Sequence, residues 1–577
     1  MNRLPLLVLL AGAAAGCNAY IGGTSQKDGP AGSNPDNPAG SAGTTSTTTT
    51  TNPTVDPTQP PTAQVACAST DTETIGHRVL RRLTNAELET TVRAVLGVDT
   101  TQWTGVNLPS DAGSLDGFTN NVDSLTVGND YAKGTLDGSK KLATLVSSDA
   151  LLTKLAPCSA QGDRACADTF VTALGSKLYR RPLSTSEKGR YLALFDKISA
   201  KEDFKSFAYW ATTAMLQSPN VIYRSELGDA DGAGHFKLSA YEVATELSYA
   251  FTGGPPTAAL TALAASNQLS TADQIEAAAR GLVFDGQTVK PAFRDVVLHF
   301  ADQWLGLAGL SNIKKDATLY PDFSAQVQES MGEETRRFFS SVILEEKGNV
   351  QSVLTAPYTY VDSALAKYYG FGAATGADFV RAERPANWGV GLLSQGSLLA
   401  VQANGLTTSP TRRGYLVRTK LLCGVVPPPP AVVGAIPPPT ATQTTRQRYE
   451  LQHEANPSCG GCHSMMDHIG FALEHLDSAG RYRETENGFP IDDSGSISGI
   501  GAGEVKVQGA ADLAGALAKL PEVSDCVSAY IGAYALGVNH ASAACLVNNA
   551  AADLRAGKSL LDFYVAISRS EHFRNRQ

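Results

Sequence analysis

Several things are missing from this chain, and each absence narrows what it can be. No run of about 20 apolar residues follows the first fifteen, so nothing in the mature sequence is expected to span a membrane. Basic residues are not in excess: 47 Lys and Arg stand against 56 Asp and Glu, for a net charge of −9. With no long basic run either, nucleic acid is not an expected partner. The phosphate-cradling glycine loop, the Gly-x-Ser-x-Gly elbow and His-Glu-x-x-His are all absent. Methionine is scarce, with five in 577 residues. What remains is a chain 42% hydrophobic, long enough for about three or four domains with sizeable cores.

One short stretch carries specific chemistry: Cys459-Gly460-Gly461-Cys462-His463. With nine cysteines and nine histidines, Cys-x-x-Cys-His is expected by accident only about 0.002 times. Two thiols at this spacing can add to the two vinyl groups of one haem, and the adjacent imidazole can ligate its iron. Two glycines between them leave the backbone free to bend at the porphyrin edge. Competing readings are a local disulfide or redox dithiol, half of a zinc site completed by His453, His468 or His475, and an idle pair. The zinc reading lacks a second Cys-x-x-Cys or a His-x3-5-His pair. Covalent haem c is the expected cofactor.

The N-terminus reads as a targeting segment. Arg3 precedes a short apolar stretch, residues 4–15, and Ala14-Ala15-Gly16-Cys17 offers small residues before a cysteine. A lipoprotein signal over 1–16, with lipid on the Cys17 thiol, is the expectation; an ordinary secretory signal with a free Cys17 is the alternative. Asn18 after the cysteine points to outer-membrane sorting, at the periplasmic or cell-surface face. Either route leads to export, where disulfides are permitted. With Cys17, Cys459 and Cys462 set aside, six cysteines remain, and proximity favours Cys158–Cys166 and Cys526–Cys545, leaving Cys67–Cys423.

Residues 17–66, rich in Thr, Ser, Gly and Pro, form an expected disordered tether. The rest reads as mainly α. Thr84 with Glu87, Ser184 with Glu187 and Ser239 with Glu242 are predicted capping boxes; Ser270 with Gln274 is an approximate fourth, offset by one from Thr271. Leu88, Val92 and Leu96, and Val243, Leu247 and Phe251, fall at helical spacing. The divisions are a helical domain over 67–150, with an irregular loop at 100–135, a helical pair around Arg180-Arg181-Pro182-Leu183 over 151–203, and a helical array over 204–380. The haem-motif domain follows over 381–485, then a helical domain over 486–577. Trp210, Phe300, Trp304, Phe338 and Phe339 are predicted core, and Glu333, Glu334, Arg336 and Arg337 exposed ion pairs. The prolines at 427–430 and 437–439 predict a stiff extended spacer. A helix over 442–455 should lead into the motif, with a second over 467–476 ended by Gly480. Ile491 to Gly495 reads as a turn in a small hairpin toward the C-terminal end, without the full calcium-loop pattern.

Four stretches together carry a family resemblance: Arg81-Arg82-Leu83-Thr84-Asn85-Ala86-Glu87; Tyr179-Arg180-Arg181-Pro182-Leu183; Ser218-Pro219-Asn220-Val221-Ile222-Tyr223-Arg224; and the motif with Asp467, Gly470 to Glu474, Asp477 and Gly480 to Arg483. The ending, Tyr534 to Gly537 and Ser570 to Arg574, adds to it. Over residues 67–577 the chain resembles the planctomycete cytochrome c-like multidomain proteins, also frequent in myxobacteria. The resemblance implies an exported haem carrier built as a multidomain helical array with a cytochrome c-like haem-attachment segment. It supplies no substrate. Small cytochromes c place a methionine ligand well downstream of the motif, whereas here only Met465 and Met466 follow, too near to reach the opposite haem face. The second ligand is then His540, His572, Met215, Met331, His299 or none, with His540 the first candidate.

Three functions remain in play. The first is a lipid-anchored c-type haem protein that transfers single electrons to a partner protein or small molecule, with Arg412, Arg413 or Arg481 near the propionates. The second is an oxidoreductase whose open iron site takes peroxide or oxygen. The third is a surface binding or scaffold lipoprotein without haem.

Overall fold

In a computed structural model, the described residues are 74–103, 106–232, 234–372, 378–427, 438–455 and 457–577. The signal segment, Cys17, the tether, Cys67 and most of the proline spacer lie outside them. The chain is mainly helical, with small antiparallel strand pairs between helices.

Local sequence sets the helix starts. Thr84, Ser184 and Ser239 each cap through a full box, the Thr84 pair at 2.8 and 3.1 Å. The fourth start belongs to Thr271, whose hydroxyl accepts from Gln274 N–H while the Gln274 side chain reaches back. Ser270 adds two bonds to the same Gln274 oxygen, from its N–H and its hydroxyl. Helices Asn85–Leu96 and Ala240–Thr252 bury the predicted stripes and stop at Gly97 and Gly253, both left-handed. The expected loop at 100–135 holds a short helix, Thr100–Trp103, and already enters helix Asn129–Val146.

Three apolar cores result. One draws on residues from Leu83 to Tyr249. A larger one gathers Phe118, Leu238 and on through Phe573, and a small one surrounds Met331 and Tyr369. Phe300, Trp304, Phe338 and Phe339 are core, as their spacing predicts. Trp210 is not: it is 47% exposed. On helix Phe204–Leu216 the buried stripe runs through Phe204, Phe207, Ala208, Ala211 and Met215, and Trp210 falls at its edge. The Glu333–Glu334 pair splits in the same way. Glu333 makes an exposed ion pair with Arg337, and Arg336 pairs with Asp302. Glu334, one residue on and about 100° around the helix, is fully buried against Arg384, Thr359 and Tyr369, and burial pushes its carboxyl up.

The arginine-rich stretches quoted for the resemblance converge. Strand Val79–Arg82 pairs antiparallel with Tyr223–Glu226, Val79 opposite Glu226. Arg81 grips Glu226 at 2.7 Å and the Gly537 carbonyl at 2.6 Å. Arg180, at φ +58°, donates to the carbonyls of Asn220 and Tyr223. Arg576, next to last in the chain, bonds Glu226 at 2.9 Å and Glu246 at 2.6 Å, and its short strand extends the Phe236–Lys237 pair. Both carboxylates are held below their usual range: burial opposes their ionisation, and the arginines overcome it.

Cys158 is bonded to Cys166. The other predicted pairings are corrected: Cys423 bonds Cys526, across 103 residues, rather than Cys67, so Cys526 is not the partner of Cys545. Cys545 is disulfide-bonded as well. Tertiary packing brings Cys526 beside the turn that ends in Leu421, where its sulfur lies 3.5 Å from the Lys420 carbonyl. Closeness in sequence does not reveal that. The disulfides fit an exported chain. Among the described residues no helix is long and apolar enough to cross a membrane. Beyond the Cys-x-x-Cys-His motif a pair of small hairpins follow one another, Thr485–Glu486 with Phe489–Pro490 and Ser494–Ile497 with Val505–Gln508. The predicted 491–495 turn links them rather than closing one.

Candidate haem-attachment site

Three helices build the site, two of which continue as π-helical turns. The motif does not lie between helices, as its sequence suggested, but inside one: Pro457–Phe471, with proline at the first position where its missing N–H costs nothing. That helix ends at Phe471, not at Leu476. Against it packs helix Pro410–Leu416, which continues as a π-helical turn, Val417–Leu421. The two approach at glycines. A Cβ on Gly414 would lie 1.7 Å from the Met466 carbonyl oxygen, and one on Gly470 2.1 Å from that of Pro410. The third element, Thr445–Tyr449, also widens into a π turn, Glu450–Glu454, which carries His453. Single π turns inside helices often re-aim a side chain at a functional site.

Cys459 and Cys462, three apart, and His463, four from Cys459, share one side of the helix. Both thiols are free and half-buried, and a Cβ on Gly461 would meet nothing within 4 Å. His463 is 24% exposed.

Behind His463 sits Asp467, one turn on and fully buried. Its Oδ2 lies 3.3 Å from His463 Nδ1 and 2.8 Å from His453 Nδ1, and its Oδ1 accepts from the Thr411 hydroxyl at 2.6 Å. The two imidazoles lie with centroids 3.6 Å apart and planes tilted by 35°, and Tyr449 closes on His453 edge-first at 5.0 Å. Burial pushes the Asp467 carboxyl up, but bonds from both histidines and Thr411 overcome it and hold it below the usual carboxylate range. An ionised carboxylate only accepts, so the network assigns the proton of each ring to Nδ1. That leaves His463 Nε2 with its lone pair, the state a metal ligand needs.

The residues around this centre are scaffold. Arg413 is buried and donates to the carbonyls of Leu473, Leu476 and Asp477. Glu474 accepts from Thr408 and Arg483, and Asp477 from the Ala479 and Arg481 N–H groups and the Arg481 guanidinium. Tyr482 stacks between Trp388 and His475. Of the three arginines expected near propionates, Arg413 and Arg481 are thus committed elsewhere, while Arg412 is half-buried at the helix start.

The structure does not bring the second-ligand candidates to His463. His540 is held by Asp116, 2.6 Å from its Nδ1, and stacks on Tyr530 at 4.9 Å beside Lys420, whose ammonium burial pushes down to about 8. His572 is buried 3.2 Å from Glu246. His299 bonds Gln303 and Tyr534, and Met215 and Met331 are buried in separate cores. His468 pairs with Glu454 and Ser496, and His475 with the Arg483 carbonyl. Among the described residues, the donors that converge here are His453, His463 and Asp467, and neither thiol joins them. A zinc site built on the cysteines is therefore not assembled, whereas free thiols beside an imidazole with an open Nε2 fit a thioether-linked haem. In the sequence alone His453 stands out only as a zinc-ligand candidate, and Asp467 has no assigned role. His463 and Asp467 at i and i+4 on one helix is the available signal.

Four family models match this chain. PSD3, a protein of unknown function (DUF1587), matches residues 81–147; PSD5 (DUF1595), 166–226; PSD4 (DUF1592), 238–371; and PSCyt3 (DUF1588), 390–486. Their names agree with the cytochrome c-like multidomain resemblance. PSCyt3 spans the motif, the Pro410–Leu416 helix and Asp467, while the PSD3 match begins at Arg81 and the PSD5 match ends at Glu226. Residues 487–577, with the ending quoted for the resemblance, fall outside these four matches. No curated protein and no solved structure matches the chain.

Proposed function

We propose that this chain is an exported, lipid-anchored c-type haem protein that transfers single electrons, with haem c on Cys459 and Cys462 and His463 on its iron. The supporting observation is the division of labour on one helix: two free thiols on one side, and an imidazole whose Nδ1 is taken by a buried carboxylate. When bound, the haem supplies one-electron redox chemistry, its potential set by axial ligand, hydrogen bonding and burial. The residues of this chain orient the imidazole, hold the Nδ1 proton and fix the helix crossing. Attachment adds each S–H across a vinyl group and needs no oxidant. Cys17 would carry the lipid, and the 17–66 tether would hold the body off the membrane.

A second reading, a haem oxidoreductase with an open iron site, is favoured by one observation: each candidate second ligand is engaged elsewhere. Protein made with a haem-maturation system tests both. A reduced pyridine spectrum of thioether-linked haem is expected. A Cys459–Cys462 disulfide with no cofactor mass would end the haem reading and leave a surface binding lipoprotein. A low-spin ferric spectrum unmoved by azide or cyanide supports electron transfer through two protein ligands; a high-spin spectrum that shifts supports the open site.

A further inference from the structure

The motif helix carries a device the attachment chemistry does not use. Resting on the haem reading above, we infer that Asp467 is a positioning residue that makes His463 a strong donor and lowers the iron potential, with His453 and Thr411 setting how strongly it does so.

Asp467 is fully buried, so its charge is poorly screened. A carboxylate accepting the Nδ1 proton of a metal-ligating histidine fixes its tautomer and raises its basicity. A more basic ligand favours ferric over ferrous iron. The same carboxylate has two competing donors, however. His453 shares Oδ2, at 2.8 Å against 3.3 Å for His463, and Thr411 holds Oδ1 at 2.6 Å. Each withdraws charge that would otherwise act on His463. The shorter bond goes to His453, so the competition is strong. The two rings, tilted by 35° with centroids 3.6 Å apart, are held side by side on the same carboxylate oxygen.

Variants at the three partners should therefore shift the potential in opposite directions. Asp467→Asn removes the charge and should move the ferric/ferrous equilibrium at least tenfold toward ferrous, an upward shift of about 59 mV for one electron. His453→Phe keeps an aromatic ring beside His463 but frees the carboxylate for it, and should move the potential down. Thr411→Val should move it the same way by less. The readouts are a spectroelectrochemical titration of each purified haem-loaded protein and its intact mass. If Asp467→Asn does not fold, the downward shifts of the other two still carry the inference. An upward or absent shift in His453→Phe and Thr411→Val, or a downward or absent shift in haem-loaded Asp467→Asn, overturns it alone. Wild-type protein without haem mass overturns the haem reading with it.

Discussion

Glu187 shows what one residue contributes. It closes the Ser184 capping box and takes both guanidinium nitrogens of Arg181, at 2.8 and 2.9 Å. The Arg181 bond, stronger than the burial that opposes it and joined by the Ser184 bonds, brings its carboxyl from 4.5 to about 2. A folded value below the unfolded one gives stability that is present above pH 4.5 and lost as pH falls toward 2. Glu187→Gln should cost about 1–2 kcal/mol at pH 7, discounted for the partly exposed Arg181. The gap to wild type should close in urea titrations repeated down to pH 2–3; a gap constant with pH would contradict the assignment. Capping of this kind is legible at a distance of three residues. The neighbours Glu333 and Glu334 are not, because which one faces inward depends on Arg384 and Tyr369, 50 and 35 residues away.

Among the elements, the crossing of Pro410–Leu416 with Pro457–Phe471 matters most. It sets Thr411 onto Asp467 Oδ1, while Oδ2 of the same carboxylate lies 3.3 Å from His463 Nδ1. Gly414 permits that crossing, because a Cβ there meets backbone rather than a movable side chain. Gly414→Ala should destabilise by about 3 kcal/mol, at the upper end of overpacking costs. Gly461→Ala, in the same motif helix but facing open space, should instead stabilise by about 0.5–1 kcal/mol through helix propensity. Denaturant midpoints of the two variants separate close approach from glycine content. The helix itself is not legible in the sequence. Two glycines in Cys-Gly-Gly-Cys weaken the helical signal, and packing against the Pro410 helix outweighs that propensity.

Across the whole molecule, long-range ties close the chain on itself. The Cys423–Cys526 bond joins the end of the Pro410 helix and its π turn to helix Pro521–Leu536. A loop of 103 residues gives a cross-link contribution of about 4.7 kcal/mol in the chain-entropy description. The Cys423→Ser/Cys526→Ser double variant should lose about 2–5 kcal/mol, measured by thermal or urea unfolding, with no change in the Cys158–Cys166 bond. Arg576 ties the last residues to Glu226 and Glu246. Arg576→Met leaves two buried carboxylates short of a partner and should cost about 3–5 kcal/mol at neutral pH. Both carboxylates ionise below their usual range, so that cost should shrink in acid as they protonate.

By itself the sequence determined the helical class, the capping boxes at Thr84, Ser184 and Ser239, the apolar stripes, the short Cys158–Cys166 bond and the Cys-x-x-Cys-His spacing. All of these are written within a few residues, where backbone geometry alone sets which side chains meet. Only the tertiary structure decided that Cys423 pairs with Cys526, that Glu334 is buried while Trp210 faces out, that His540 belongs to Asp116, and that His453 and Thr411 share Asp467 with His463. Each of these depends on which distant helix arrives at a given face, and that is set by packing and close backbone approach summed over the whole body.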